Sequence, residues 1–380
     1  MKSFSLVLLG LLIFAGLPAK AQKPVYNIEN VTGDLYLFSD GQVNGVMLVT
    51  KEGIVVVDPG PVELAEWLKK EITSRFGMPV KYVVYANDQP EHFTGGPVFK
   101  DSADYLVHPE ATATHENLRL TGKIAEAPIL AKDYEIGGKE FRLLTALPIP
   151  AMGVLFPEEK VFYISDLIQV RSIPEKIFTD QTIKNHMVAL FRFHVKFKTF
   201  LSGHGSPGSH RDYEAYQEFI STLLKQVFDF QRNGNGLEEV SQMVNLDPFQ
   251  DWDLFSERRD QIISHVFHAI EKDKNFEKYL KQGMVFPIAL MGMRIPEKLY
   301  NKKTCGWTKV QYDVTAKGNA KNIKVIDQQP PGVYGLISIE SSRRHRYLPG
   351  FPGEGIEVIT YYDFDGECEM VPKSPEEKKE

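Results

Sequence analysis

A chain of 380 residues exceeds one ordinary domain and has room for two with separate cores. Its composition, 43% hydrophobic and 25% charged, excludes wholesale disorder. A net charge of -6 without any block of lysine or arginine excludes the electrostatic footprint of a nucleic-acid or anionic-lipid binder.

The first segment reads as an address. Lys2 precedes an apolar run from Leu6 to Leu17, then Pro18 and Ala19-Lys20-Ala21, the three-part pattern of a secretory signal cleaved before Gln22. A retained membrane anchor would need about 20 apolar residues, and this run is shorter. Residues 1–21 are therefore expected to be removed, leaving a more acidic chain without a membrane span. No cysteine follows the small residues, so lipid attachment is not expected there, and the location implied is a bacterial periplasm.

Beyond the signal, Leu35 to Phe38, Val43 to Val49 and Ile54 to Val57 are β-rich runs punctuated by Thr32-Gly33, Ser39-Asp40-Gly41 and Lys51-Glu52-Gly53. The third ends in Asp58-Pro59-Gly60, where the carboxylate reads at its simplest as the cap of a turn. From Val62 to Phe76, apolar Leu64, Trp67, Leu68, Ile72 and Phe76 recur at helical spacing, and Gly77 and Pro79 close that helix. A buried strand from Val80 to Tyr85 then delivers the polar loop Ala86-Asn87-Asp88-Gln89-Pro90-Glu91-His92, followed by Gly95-Gly96. Another strand covers Tyr105 to His108. His108 and the later His115 lack partners at ligand spacing and read as hydrogen-bonded structural residues. Phe141 to Leu147, Gly153 to Pro157 and Val161 to Ile164 are further strands, the last running into Ser165-Asp166-Leu167. Phe200-Leu201-Ser202-Gly203-His204-Gly205 completes the series.

These landmarks, spread over residues 30 to 210, resemble the metallo-β-lactamase-fold hydrolases. Their metal loop is H-x-H-x-D-H, against which Asn87 and Gln89 replace the first two histidines, Glu91 replaces aspartate and His92 is unchanged. Asp58 matches the aspartate that braces the loop from behind the ligands, Met152 falls nearest the third histidine, Asp166 matches the bridging aspartate, and His204 matches the last histidine. The resemblance implies an α+β fold, the four-layer αββα sandwich, over residues 22–210.

It also implies an asymmetric site. Asn87, Gln89 and Met152 would remove all three imidazoles of the first metal position, and amides and a thioether bind a divalent ion poorly. Glu91, His92, Asp166 and His204 would keep a coordinating atom at every second-site position and could hold at most one zinc. Two carboxylates would blunt the activation of bound water, so the expected function is a catalytically silent binding or scaffold protein of the periplasm. The alternative is a single-zinc hydrolase of an ester, lactam or thioester, with Glu91 released to act as general base and Asp166 the other catalytic residue. Pro90 is expected to hold Gln89 extended in either case.

Residues 211–282 read as a helical extension. Tyr213, Tyr216, Ile220, Leu223, Leu224 and Val227 form one stripe, Ile262, Val266 and Ile270 with His265 a second, and Asn233-Gly234-Asn235-Gly236 separates them. These stripes read as packing faces.

Within 283–370, Gly306 to Val314 alternates at period two, Lys317-Gly318-Asn319 is a turn, and Ala320 to Ile326 is a second strand. Pro330-Pro331-Gly332 leads to a helix through Ser341, then Arg346-Tyr347-Leu348-Pro349 and a strand from Ile356 to Phe364. This order resembles the small α+β C-terminal domain of TonB-type energy transducers. The resemblance places the first and last strands side by side and antiparallel, which would bring Cys305 toward Cys368. It implies an extended peptide or an envelope protein as partner, bound by strand addition. A packing or dimerisation module is the plainer reading. The expected loss of the anchor, and the lack of a long proline-rich spacer, argue against coupling to the inner membrane. The tail 371–380 is charged and reads as disordered.

Overall fold

The computed structural model describes residues 25–108, 124–126, 131–145, 149, 151–177, 183–193, 195–273, 285, 287–289 and 295–362. Residues 1–21, expected to form a signal, His115, Cys368 and the tail 371–380 lie outside these residues. Among the described residues, no helix is long and apolar enough to cross a membrane.

Two mixed sheets form the centre. The first runs in chain order through β1 (Asn27–Thr32), β2 (Leu35–Ser39), β3 (Asn44–Val49), β4 (Ile54–Val57), β5 (Val80–Val84), β6 (Asp104–Val107) and β7 (Ile124–Glu126), antiparallel up to β4 and parallel from there. The second contains β8 (Ala131–Ile136), β9 (Lys139–Thr145), β10 (Met152–Phe156), β11 (Val161–Ile164), β12 (Thr199–Ser202) and β13 (Gly208–Ser209), with β11 and β12 parallel.

Side-chain alternation along these strands divides the interior into three apolar layers. Val55, Val57, Val154 and Tyr163 face the layer between the sheets. Ile54 and Val56 point the other way, onto Leu64, Leu68 and Ile72 of helix α1 (Val62–Phe76). Phe162 and Ile164 point outward from the second sheet onto α3 (Ile183–Arg192), α4 (His210–Arg232) and α6 (Phe255–Lys272). A short α2 (Pro90–Phe93) follows β5, and α5 (Leu237–Met243) lies between α4 and α6. The result is helix, sheet, sheet, helix, as expected from the sequence. The two stripes of the helical extension cover the second sheet, and β8 and α3 are elements the periodicity did not announce.

Near the C-terminus a three-stranded sheet has the order β16 (Ala320–Gln329), β15 (Gly306–Val314), β18 (Gly353–Tyr362), with α7 (Gly335–Arg343) between its second and third strands in sequence. β15 and β18 are antiparallel neighbours, Gly306 opposite Tyr362. Cys305, immediately before β15, is disulfide-bonded. β14 (Pro287–Ala289) and β17 (Arg346–Tyr347) form a separate small pair.

Candidate metal centre and its cavity

Parallel pairing builds the site. β4 and β5 are in register at Val57 and Val84, so Asp58 and the turn into Asn87 leave the first sheet side by side. β11 and β12 are in register at Ile164 and Ser202, so Ser165-Asp166 and Gly203-His204 leave the second sheet together. Loops at the same end of parallel strands are where such folds gather polar groups. The two pairs are also joined. The Asn44 backbone donates to the Gly203 carbonyl at 2.7 Å, its Nδ2 donates to the Gly205 carbonyl at 2.7 Å, and the Met152 amide donates to the Ala86 carbonyl at 2.7 Å.

Asp58 sits behind the loop, fully buried, accepting from the Ala86 amide at 2.7 Å and from the Tyr163 hydroxyl at 2.8 Å. Burial raises its pKa, opposed by His92 and by these donors. Its backbone is left-handed, with φ of 50°, a region aspartate tolerates better than most residues.

In front of it stand His92, Asp166 and His204. His92 is fully buried with Nε2 2.8 Å from Asp166 Oδ2, and His204 Nε2 lies 3.1 Å from Asp166 Oδ1. The potential ligand atoms of the three residues all fall within 4.8 Å of one another. His204 Nδ1–H donates to the Gln42 carbonyl at 2.7 Å, which turns Nε2 toward Asp166. Gly203 makes the approach possible: a Cβ there would lie 2.7 Å from both Asp166 Oδ1 and His92 Cε1.

The electrostatics follow from this contact. Burial works to lower the His92 pKa, but the hydrogen bond and charge of Asp166 outweigh it and raise the value. The Asp166 hydrogen bond likewise raises His204, against its partial burial. Asp166 is buried too, yet the two histidines hold its carboxyl well below the usual carboxylate range.

The remaining positions divide differently from the sequence expectation. Asn87 is buried, and its Nδ2 donates to Ser165 Oγ at 2.7 Å and to Asp166 Oδ2 at 3.0 Å, while its Oδ1 accepts from the Gln89 amide at 3.0 Å. Gln89 is exposed and extended, with φ of -84° and ψ of 129°, the geometry Pro90 imposes. Glu91 is exposed in the cavity wall and lies outside the three-residue cluster, so the assembled set has three members where four were expected. Met152 is fully buried in the layer between the sheets, and its neighbours Ile149 and Ala151 line the cavity instead. His108 is buried away from the cluster.

Two imidazoles and one carboxylate suit zinc with a fourth position left to water or a ligand. The cluster faces a cavity of about 1250 Å³. Another wall comes from residues that the sequence analysis did not single out: Ser172, Pro174 to Ile177, His186 of α3, and Asp253, Leu254 and Arg258 around the start of α6. Backbone bonds join that wall together, Ile173 N to Asp253 O at 3.0 Å and Asp253 N to Arg171 O at 2.9 Å. Nothing in the spacing of Leu254 and Arg258 distinguishes them from other exposed helix residues. Ser165 was legible, since it adjoins Asp166.

No family model matches the chain. A stereoselective inverting sec-alkylsulfatase, Pisa1 from Pseudomonas sp., superimposes with a TM-score of 0.52 over 66% of this chain and 50% of its own, at 13% identity. The fold is that of the metallo-β-lactamases. A metallo-β-lactamase from Pontibacter korlensis is matched over 50% of this chain and 96% of its own, with a TM-score of 0.44 and 19% identity. Separately, the TonB protein of Escherichia coli strain K12 is 34% identical over 65 residues, 17% of this chain, and that of Salmonella typhimurium strain LT2 is 29% identical over 65 residues. The chain spans 27% of the length of each of these TonB relatives. A metallo-β-lactamase fold and a TonB-like region thus occur in one polypeptide.

Proposed function

We propose that this is an exported binding or scaffold protein of the periplasm, with one residual zinc site and no turnover. The observation that carries the reading is the Asn87 amide, 3.0 Å from the Asp166 oxygen that His92 also contacts. A side chain that cannot ligate well stands beside the carboxylate and hydrogen-bonds to it, so the first metal position is closed. His92, Asp166 and His204 would hold a single zinc, which when bound supplies Lewis-acid polarisation of a ligand oxygen. The chain's own groups orient that site: Gln42 fixes the His204 ring, and Asp58 fixes the loop.

One observation favours the alternative, a single-zinc hydrolase of an ester, lactam or thioester. Glu91 stays outside the cluster, which leaves a coordination position open and a carboxylate facing the cavity to accept a proton. Elemental analysis after zinc exposure and dialysis, with an ester, lactam and thioester panel on the same sample, decides between them. One zinc and no hydrolysis above the Asp166→Ala background supports the binding protein; hydrolysis lost in that variant establishes the enzyme, and two retained metals contradict the site.

The TonB-like region supports an envelope setting. We assign it the capture of an extended peptide or envelope protein along a sheet edge, and we assign the Cys305 disulfide to Cys368. Mass analysis of the unreduced, digested protein tests the pairing.

A further inference from the structure

The cavity wall that contains Arg258 and Leu254 carries two features that the zinc site does not use. Arg258 is partly buried, and its Nη1 donates to the Ile173 carbonyl at 3.0 Å; among the described residues it forms no ion pair. A guanidinium has five donors, and one that is partly stripped of water with only a neutral partner is left electrostatically incomplete. The nearby charges do not complete it. Lys176 lies 3.8 Å from Glu175, Asp166 is held by its two histidines, and Glu91 and Asp253 are exposed and keep their hydration. Burial pushes His186 down to about 4, so this wall residue adds no charge at neutral pH.

Leu254 is the second feature. It sits one turn before Arg258 in left-handed backbone, φ 61° and ψ 16°, a strained choice for a residue with a branched side chain. Its side chain lines the cavity and is 40% exposed. An apolar group held in strained backbone over a cavity is what a ligand-contacting position looks like, whereas a packing position would be covered. Ile149, Leu167 and Ile177 continue the apolar surface. The volume of about 1250 Å³ exceeds what a compact metabolite fills and leaves room for a chain.

We propose that this cavity binds an anionic amphiphile, its oxyacid head paired with Arg258 and its apolar chain lying across Leu254 toward Leu167 and Ile177. The proposal rests on the reading of the cavity as a ligand site, but it does not require zinc. The exposed carboxylates at the rim would then disfavour entry of a like-charged head except where Arg258 receives it.

Isothermal titration of the full-length mature protein with decanoate, decyl phosphate and decyltrimethylammonium tests this. Saturable binding of one or both anions is expected, at least about tenfold tighter than the cation, and the better anion identifies a carboxylate or a phosphate head. Arg258→Gln should weaken anion binding by about tenfold or more, with Arg258→Lys between it and the parent. Leu254→Gly should weaken it several-fold without lowering the unfolding temperature, because glycine adopts this backbone freely. No saturable anion binding by the folded protein overturns the proposal, as does equal or tighter binding of the cation, or unchanged affinity in both the Arg258→Gln and Leu254→Gly proteins. His204→Ala separates the two readings: it should lose zinc and keep the amphiphile. Loss of amphiphile binding alone, in a parent that retains zinc, would remove this proposal and leave the metal site standing.

Discussion

The two sides of the pocket have fared differently. The side that leaves β11 and β12 presents Asp166 and His204, a carboxylate and an imidazole held 3.1 Å apart. The side that leaves β5 presents Asn87 and Gln89, of which one is buried against Asp166 and the other is exposed in the cavity wall. On that side His92 supplies the one imidazole that reaches the carboxylate, beside the Asn87 amide. The difference teaches that a side chain unsuited to ligation can still be tied into the site. Asn87 donates to two oxygens and accepts from the loop backbone, so it has become a strut between the two sheets.

Breaking the preserved side should have the largest effect. Asp166→Ala or His204→Ala is expected to abolish zinc retention, a loss beyond the ~10–100-fold that a supporting hydrogen bond is worth, measured by competition with a chromogenic chelator. Removing the brace comes next. Asp58→Ala strands the Ala86 amide in a dry interior and leaves the Tyr163 hydroxyl only its longer bond to the Asn44 carbonyl, and should cost about 2–3 kcal/mol in urea unfolding of the metal-free protein. On the altered side, Asn87→Ala should cost about 1–2 kcal/mol while zinc stoichiometry stays at one or below. Asn87→His sharpens the contrast: with a poorly ligating amide at Gln89 and Met152 buried between the sheets, a second zinc should still not appear in elemental analysis. A second equivalent would show that one residue had closed the position.

The smallest effect is on pH dependence. His92 and His204 have raised pKa values, so their contribution to stability is complete below the ordinary histidine value and fades as pH climbs through the raised one. Asp166 is lowered, so its contribution is complete above the ordinary carboxylate value and fades as pH falls toward the lowered one. The unfolding temperature of the metal-free protein should therefore plateau between about pH 4 and 6.5 and decline on both sides. Asp166→Asn should flatten that profile, and an unchanged profile would mean the three residues are not coupled.

Much of this was legible from residue order. The runs Ile54 to Val57 and Val161 to Ile164 read as strands, which are buried on both faces, and the Gly203-His204-Gly205 turn pointed to an imidazole that the structure places beside Asp166. What the sequence did not carry was direction. Glu91 and His92 are neighbours in the chain, yet one is exposed in the cavity wall and the other is buried in the cluster, because successive residues of the short α2 lie about 100° apart around its axis. Met152 is next to residues that line the cavity, but strand pleating sends its side chain into the apolar layer. Arg258 and Leu254 become cavity residues only because the backbone of Asp253 bonds to Arg171 and Ile173, a contact about 80 positions apart along the chain that no local pattern encodes.

The hydrogen bond from Asn87 also bears on how the polypeptide matures. Since Asp166 Oδ2 already has partners within the chain, its charge is met before any cation arrives, and folding need not wait for zinc. Zinc binding by these residues would then have to displace protons and prise an amide away, which would make occupancy a contest decided by ambient acidity and metal supply.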